Sequence, residues 1–555
     1  MRAQRAYNQF DVDRAQRLPI TKTNIVVSEP MPGDAKLVDE FAASLKPAVL
    51  GGLFKKMVEE MKLAGELGSL LKIEESIAKA VKEAEEAHRK EGLFAEKVES
   101  QDFWDTADEK IIAALGSFAE SAAGAVGVRR QLFVGDAAQG VAFIELMRKR
   151  FDAVLMNPPF GLGPKSVAKY LNSQFVGSGV KELAASFYTR SLELLEPTGR
   201  IGEISSRTCF FLPTLADWRR DVVFEQSTLI AYADLGENIL DGAVNETAAY
   251  VVQKGREVNA TCIFGMFHRE EQIDKALNEL ATCTLGPRVT VRLLTDLEVL
   301  EDRPLCYWTS NAFVRALPHL RPLGQGAADV QMGLAPRDEF RFSRLWWEIR
   351  QEEVGTAGTW LGYAKGGELS PYYSDVELVL NARDDLREIR AALNHKYPYL
   401  KGNLSWVLHP ENDYFMPGLT FGQRTAFLRM SVLPAGCYFS VAGKAVFGRK
   451  QSSKALLQAI NTPAAQFLVS LRRERLALDP QFQQGDVERM PWPELSDAAA
   501  RKLEQWGHEN TYLVQSVASF DETDHAFQRI SIDGAASLAS KVATESILRN
   551  EARAS

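Results

Sequence analysis

Residues 151–161 read Phe-Asp-Ala-Val-Leu-Met-Asn-Pro-Pro-Phe-Gly, and the fold reading turns on this stretch. Phe151–Met156 is a short apolar run interrupted by Asp152 alone, which predicts a buried strand. Two successive prolines then fix φ and remove two backbone donors, so the chain leaves the strand at Asn157 in a stiff bend. Asn-Pro-Pro by itself also suits a plain strand-to-loop turn. The aromatic Phe160 and the glycines at 161 and 163 favour a loop that receives a ligand.

Working outward, Gln131–Gly135 (QLFVG) predicts a strand ending at Asp136, and VAFIELMRKR, residues 141–150, has helical spacing. Downstream, residues 181–195 predict a helix, a Pro-Thr-Gly turn leads to IGEIS, and LADWRRDVVFEQ is helical again. LIAYADLG and TAAYVVQKG complete the series. Strands alternating with helices predict an α/β sheet with helices on both faces, and ligands bind such sheets beyond the carboxyl ends of the strands. Asp136 and Asn157 both fall at that edge in this reading. Asp136 suits a helix cap equally well, and Asp234 is read as structural.

The chemistry of the bend is specific. The exocyclic amine of adenine is a poor nucleophile because its lone pair is delocalised into the ring. The side-chain oxygen of Asn157 and the carbonyl of Pro158 would accept its two hydrogens and localise that pair. Pro159 keeps the bend rigid, and Phe160 offers a face on which an extruded base could stack. Preorganised acceptors of this kind lower a barrier without a strong general base.

The remaining chain divides by pattern. Residues 1–130 are mainly helical, with a Glu/Lys-rich face near 74–90 read as solvated. Residues 131–260 form the catalytic α/β core, 261–319 a connector, 320–495 a mixed, β-rich domain, and 496–555 a helical tail. A net charge of -8 excludes a wholly basic coat protein but leaves room for a local basic surface. Residues 401–450 hold six Lys/Arg against Glu411 and Asp413, with Trp406, Tyr414, Phe415 and Phe421 interleaved. Arg424 and Lys365 are the candidates for DNA phosphate contacts. Trp346 and Trp347 are read as core anchors at a domain boundary. Five scattered cysteines and seven histidines show no metal-ligand spacing, so no metal is expected. A reducing, cytoplasmic setting with no membrane segment follows. No nuclease constellation is recognised.

FDAVLMNPPFG resembles the catalytic motif of class I, S-adenosylmethionine-dependent methyltransferases that act on amino groups. The wider chain resembles adenine-specific DNA methyltransferases of the type IIG restriction-modification and BREX phage-resistance (PglX-like) kind. NIVVSEPMPG, LAGELGSLLKIEE, FYTRSLELLEPTGRIGEIS, WLGYAKGGELSPYY, GLTFGQRT, VLPAGCYFS and VERMPWP carry that likeness across nearly the whole chain. It implies a Rossmann-like methyltransferase sheet, a target-recognition domain over 320–495, S-adenosylmethionine as cofactor and double-stranded DNA as partner. It also implies Asp136 beside the cofactor's adenine. The family's Gly-rich cofactor motif and the acidic ribose ligand are not found upstream of Asn157, and MRAQRAYNQF resembles the helix after the family's second strand. The sheet is therefore expected to be incomplete at its N-terminal side, with an internal start or a second polypeptide accounting for the cofactor half. The alternative is a truncated, non-catalytic fragment that binds DNA or a partner. A methyltransferase acting on RNA or on a protein glutamine is a further rival, and the large second half argues against the protein-modifying kind.

Overall fold

The structure, a computed structural model, describes residues 25–31, 34–46, 49–91, 110–111, 113–114, 118, 125–179, 181–240, 246–268, 272–300, 302–355, 358–367, 370–471 and 481–527. The MRAQRAYNQF stretch and the tail beyond 527 lie outside the described residues. The fold is mixed α/β with several sheets. Contacts divide it into two units: residues 1–203 with 226–228 and 251–256, and the remainder.

In the first unit, helices α1 (Ala35–Ser44), α2 (Val49–Glu60), α3 (Ile73–Glu91) and α4 (Ala125–Arg148) share one core. Asp34 starts α1 by accepting from the backbone nitrogens of Lys36 and Leu37. A Cβ on Gly51 would lie 2.3 Å from the Ala42 carbonyl oxygen, so only glycine lets α1 and α2 approach this closely. On α3, Glu75, Lys79, Lys82 and Glu83 are exposed and Glu74 is buried; the side chains of residues 84–90 of the face read as solvated lie outside the described residues.

Residues 131–135 depart from the sequence reading. They lie inside α4 and form no strand. Phe133, Ala137, Val141 and Ile144 recur at helical spacing and are all buried. Phe133 packs edge-on against Phe41, Phe54 and Phe118, at centroid distances of 6.1, 6.3 and 6.0 Å. A short apolar run is ambiguous between helix and strand, and this aromatic contact decides it. Asp136 consequently sits in mid-helix and exposed, neither at a strand end nor at a cap.

Strand β1 (Phe151–Met156) pairs in parallel with β2 (Leu195–Ser206). Phe151 opposes Leu195 whereas Ala153 opposes Arg200, so the Pro-Thr-Gly stretch is a bulge inside β2, with Thr198 at φ 65°. Helix α5 (Leu183–Leu194) lies between the two strands in sequence and close to its predicted bounds. With β3 (Ser227–Gly236), β4 (Thr247–Lys254), β5 (Thr261–Met266) and β6 (Val289–Leu293), the strands bond in the order β1-β2-β4-β3-β5-β6.

The second unit carries two further four-stranded sheets. One joins β9 (Ser343–Leu345), β10 (Trp360–Ala364), β11 (Leu378–Asn381) and β14 (Cys437–Phe439). The other joins β8 (Ala328–Gln331), β12 (Gly418–Gly422), β13 (Met430–Leu433) and β15 (Gly443–Gly448). A two-stranded clasp of β7 (Arg321–Pro322) with β16 (Pro491–Trp492) ties the start of this region to its end. Helix α6 (Ser453–Ile460) packs on α7 (Asp497–Ala518) at Gly507, where a Cβ would lie 2.2 Å from the Lys454 carbonyl oxygen.

Trp346 and Trp347 are not core anchors. Trp346 is half-buried and donates from Nε1 to the Thr523 carbonyl at 3.2 Å, and Trp347 is 43% exposed. The segment after α7 supplies the covering that a core would otherwise give.

Candidate active site

Asn157, Pro158, Pro159 and Phe160 form an irregular loop directly after β1. Asn157 is exposed, Pro158 buried, Pro159 exposed and Phe160 half-buried. The buried proline packs the bend against the protein while Asn157, which precedes it, is exposed. Exposure is what a group that meets an incoming ligand requires.

The exit of the loop is held by a residue the sequence reading passed over. Glu182, 5% exposed, is the N-cap of α5 and accepts from the Ala184 backbone nitrogen. Its Oε1 also accepts from the Gly161 backbone nitrogen at 2.7 Å, and the Leu183 nitrogen donates to the Gly161 carbonyl at 2.9 Å. Gly161 has φ +91°, a conformation that needs glycine here. The sequence signal was an acidic residue just ahead of an apolar-periodic run, which marks a helix start.

Helix α5 is in turn fixed from below. Arg190, 1% exposed, meets Glu74 at 2.7 Å and Glu193 at 3.1 Å, and donates to the Ser69 carbonyl at 2.8 Å. Lys72 pairs with Glu193 at 2.5 Å. The LAGELGSLLKIEE stretch, residues 63–75, therefore acts as a brace for the helix that anchors the loop. Ser166, just after the loop, donates to Glu66 on the same stretch.

In the second unit, Asp234, two residues before the end of β3, is fully buried, as a structural residue would be. It accepts from Arg207 Nε at 2.8 Å and Tyr307 at 2.8 Å, and lies 2.7 Å from His268 Nε2. Burial opposes the charges on Asp234 and Arg207. The two offset that penalty for each other, so the carboxyl titrates below its usual range and the guanidinium above its own.

The candidate DNA contacts lie on neighbouring turns. Lys365 follows β10 and faces Glu339 at 3.6 Å, and Arg424 is exposed two residues beyond β12. Gly367 and Gly422 bring these turns together, since a Cβ on Gly422 would lie 2.3 Å from the Gly367 carbonyl oxygen. The basic tally over 401–450 needs two corrections. Lys444 is 1% exposed, with burial pushing its ammonium down to about 8, and Arg449 is engaged by Asp329. Phe421 is likewise core and offers no face to a base. Among the described residues no helix is long and apolar enough to cross a membrane.

Comparison with known proteins finds a family likeness over the region that includes this loop. Residues 60–239, which include the loop, the brace and α5, match the family described as Eco57I restriction-modification methylase. The chain is 25% identical over 376 residues to the adenine-specific methyltransferase BrxX of Escherichia coli O9:H4 (strain HS), covering 64% of this chain and 29% of that protein. It is 22% identical over 271 residues to the adenine-specific methyltransferase PglX of Lacticaseibacillus casei (strain Zhang), covering 45% and 22%. This chain thus spans less than a third of the length of either relative. Among solved structures, the type IIL restriction-modification enzyme MmeI in complex with DNA aligns over 93% of this chain and 74% of that one, with 11% identity and a TM-score of 0.44. Residues 60–239 therefore carry an Eco57I restriction-modification methylase domain, in a chain homologous to BrxX and PglX.

Proposed function

We propose that this chain carries the target-adenine half of a site-specific, adenine-specific DNA methyltransferase of a restriction-modification or phage-defence system, working in the cytoplasm. The observation that supports it is the loop itself. Asn157 is exposed ahead of a buried proline, and Glu182 fixes the loop's exit. In this reading the Asn157 oxygen and the Pro158 carbonyl accept the two amine hydrogens of an extruded adenine, and Phe160 stacks on its ring. The amine lone pair is then turned out of conjugation and held toward the methyl donor.

S-adenosylmethionine, when bound, supplies the methyl group in this chemistry. The residues described here do not make its cradle. Asp136 lies on an exposed helical face, and the Gly-rich motif is not in the 555 residues. No step is therefore assigned to these residues on the cofactor side. Residues 320–495 act as the target-recognition domain on duplex DNA, with Lys365 and Arg424 at the phosphates.

The test is made in the cell that encodes the protein. Replacing Asn157 by Ala at the chromosomal locus should lower N6-methyladenine at one genomic sequence motif on the order of 100-fold. Undiminished methylation in that strain would overturn the reading.

A further inference from the structure

Three of the stretches that stood out in the second half meet at one place. Gly366, at φ +84°, and Gly367 follow β10, Gly422 ends β12, and Gly443 opens β15. A Cβ on Gly443 would lie 2.3 Å from the Gly366 nitrogen, so these turns touch backbone to backbone. The Ser440 hydroxyl donates to the Lys365 carbonyl at 2.9 Å and closes the junction.

Against this junction is a cavity of about 280 Å³ whose lining includes Lys365, Asp375, Glu377, Thr420 and Ser431. Thr420 on β12 and Ser431 on β13 are register partners, so their side chains share one face of the sheet. Thr420 is 4% exposed and Ser431 0%, and neither hydroxyl has a hydrogen-bond partner among the described residues. Adjacent buried hydroxyls left unpaired lower stability, and such groups in a native fold call for something that satisfies them, a ligand or a water.

The lining selects the ligand. Two carboxylates, Asp375 and Glu377, stand against one ammonium, Lys365, which already faces Glu339 at 3.6 Å. Asp375 is also held by His525 at 2.9 Å. A phosphate would be repelled by this wall. A neutral heterocycle with N–H donors beside ring acceptors is matched by it, because the hydroxyls both donate and accept and the carboxylates accept from an exocyclic amine. Ala364, Val376 and Leu378 supply apolar edges, and the volume suits one ring system rather than a stack. We propose that this cavity receives a nucleobase bearing an exocyclic amine. It rests on the proposed function only for the source of that base.

The test is calorimetric titration of the full chain with adenosine, cytidine, thymidine and inorganic phosphate, repeated on the Thr420→Val/Ser431→Ala double variant. Adenosine and cytidine should bind on the order of tenfold more tightly than thymidine, with no binding of phosphate. The double variant should lose that binding while its melting temperature holds or rises, since two unpaired hydroxyls are gone. Absence of nucleoside binding, binding unchanged in the double variant, or preference for phosphate would each overturn the proposal. So would a lowered melting temperature together with ordered waters bonding both hydroxyls in a crystal structure. Nucleoside binding by a chain whose Asn157→Ala strain keeps full adenine methylation would remove the proposed function and leave this cavity standing. The converse result would remove only the cavity.

Discussion

The carboxylate of Glu182 lies 2.7 Å from the backbone nitrogen of Gly161 and, as the first residue ahead of α5, also caps that helix. One buried acid thus couples the position of the Asn-Pro-Pro-Phe loop to the helix behind it. Removing it should do more than shorten the helix. Glu182→Ala is expected to cost ~1–3 kcal/mol of stability, from a lost cap and a lost charge-assisted bond. It should also lower adenine methylation on the order of tenfold or more, through displacement of Asn157. Urea unfolding and methyl-base counting read the two effects separately, and a variant that loses stability with methylation intact would show that Glu182 does not position the loop.

The brace below α5 makes a sharper energetic prediction. Arg190 and Glu74 form a buried ion pair at 2.7 Å, with side chains 2% and 9% exposed. Breaking one side of such a pair strands a charge, so Glu74→Gln or Arg190→Met alone should destabilise by roughly 3–5 kcal/mol. The double replacement by apolar side chains should recover much of that loss. Equal destabilisation in single and double variants would mean that the pair is not coupled.

Lys444 was counted in the sequence as part of a basic surface, yet it is buried, and its Nζ donates to Gln423 at 3.2 Å. Burial lowers its pKa from 10.5 to about 8. Between those values the unfolded chain binds more protons than the folded one, so stability should rise as pH rises from about 8 to 10.5. At pH 7 both states are protonated and the full penalty applies. Lys444→Met should therefore stabilise the protein at pH 7 by roughly 2 kcal/mol and flatten the rise above pH 8. Its effect on DNA affinity should be small, and a marked fall in the salt dependence of binding would return Lys444 to the surface.

The segment after α7 is pinned by three contacts. Trp346 bonds the Thr523 carbonyl at 3.2 Å, Tyr373 donates to Asp524 at 2.8 Å, and His525 meets Asp375 at 2.9 Å. The bond to Asp375 raises the His525 pKa above its ordinary value, against the opposing effect of burial. A raised folded-state pKa gives stability that is complete below the unfolded value and is lost as pH climbs through the folded one. Amide exchange over residues 521–527 should therefore quicken as pH passes upward through the raised His525 range, after correction for intrinsic exchange. His525→Ala should abolish that step, and a step that survives the substitution would assign it to another group.

Much of the loop and its flanking elements was legible in the chain because the causes are local. Two prolines stiffen a bend wherever they stand, and the apolar runs at 151–156, 201–205 and 229–236 are flanked clearly enough to be strands, although 151–156 is not the buried strand expected, with Leu155 85% exposed. The reading of 181–195 as a helix rested on helical spacing of its apolar residues, and the helix observed runs over 183–194. Residues 131–135 were different, because five apolar-rich residues carry no period of their own. Contact of Phe133 with Phe41, Phe54 and Phe118 made them helical and moved Asp136 away from the strand edge.

The sequence by itself determined which groups stand at Asn157–Phe160, since residue identity sets which atoms can accept a hydrogen bond and how stiff the backbone between them is. Tertiary structure alone decided which charges are spent inside the protein. Glu74, Lys444 and Asp234 look like any other charged residues in the chain, and only the partners brought to them across tens of positions make them brace, buried cation and core acid. Burial and pairing depend on distant segments arriving at the same point, and a local pattern holds no record of that.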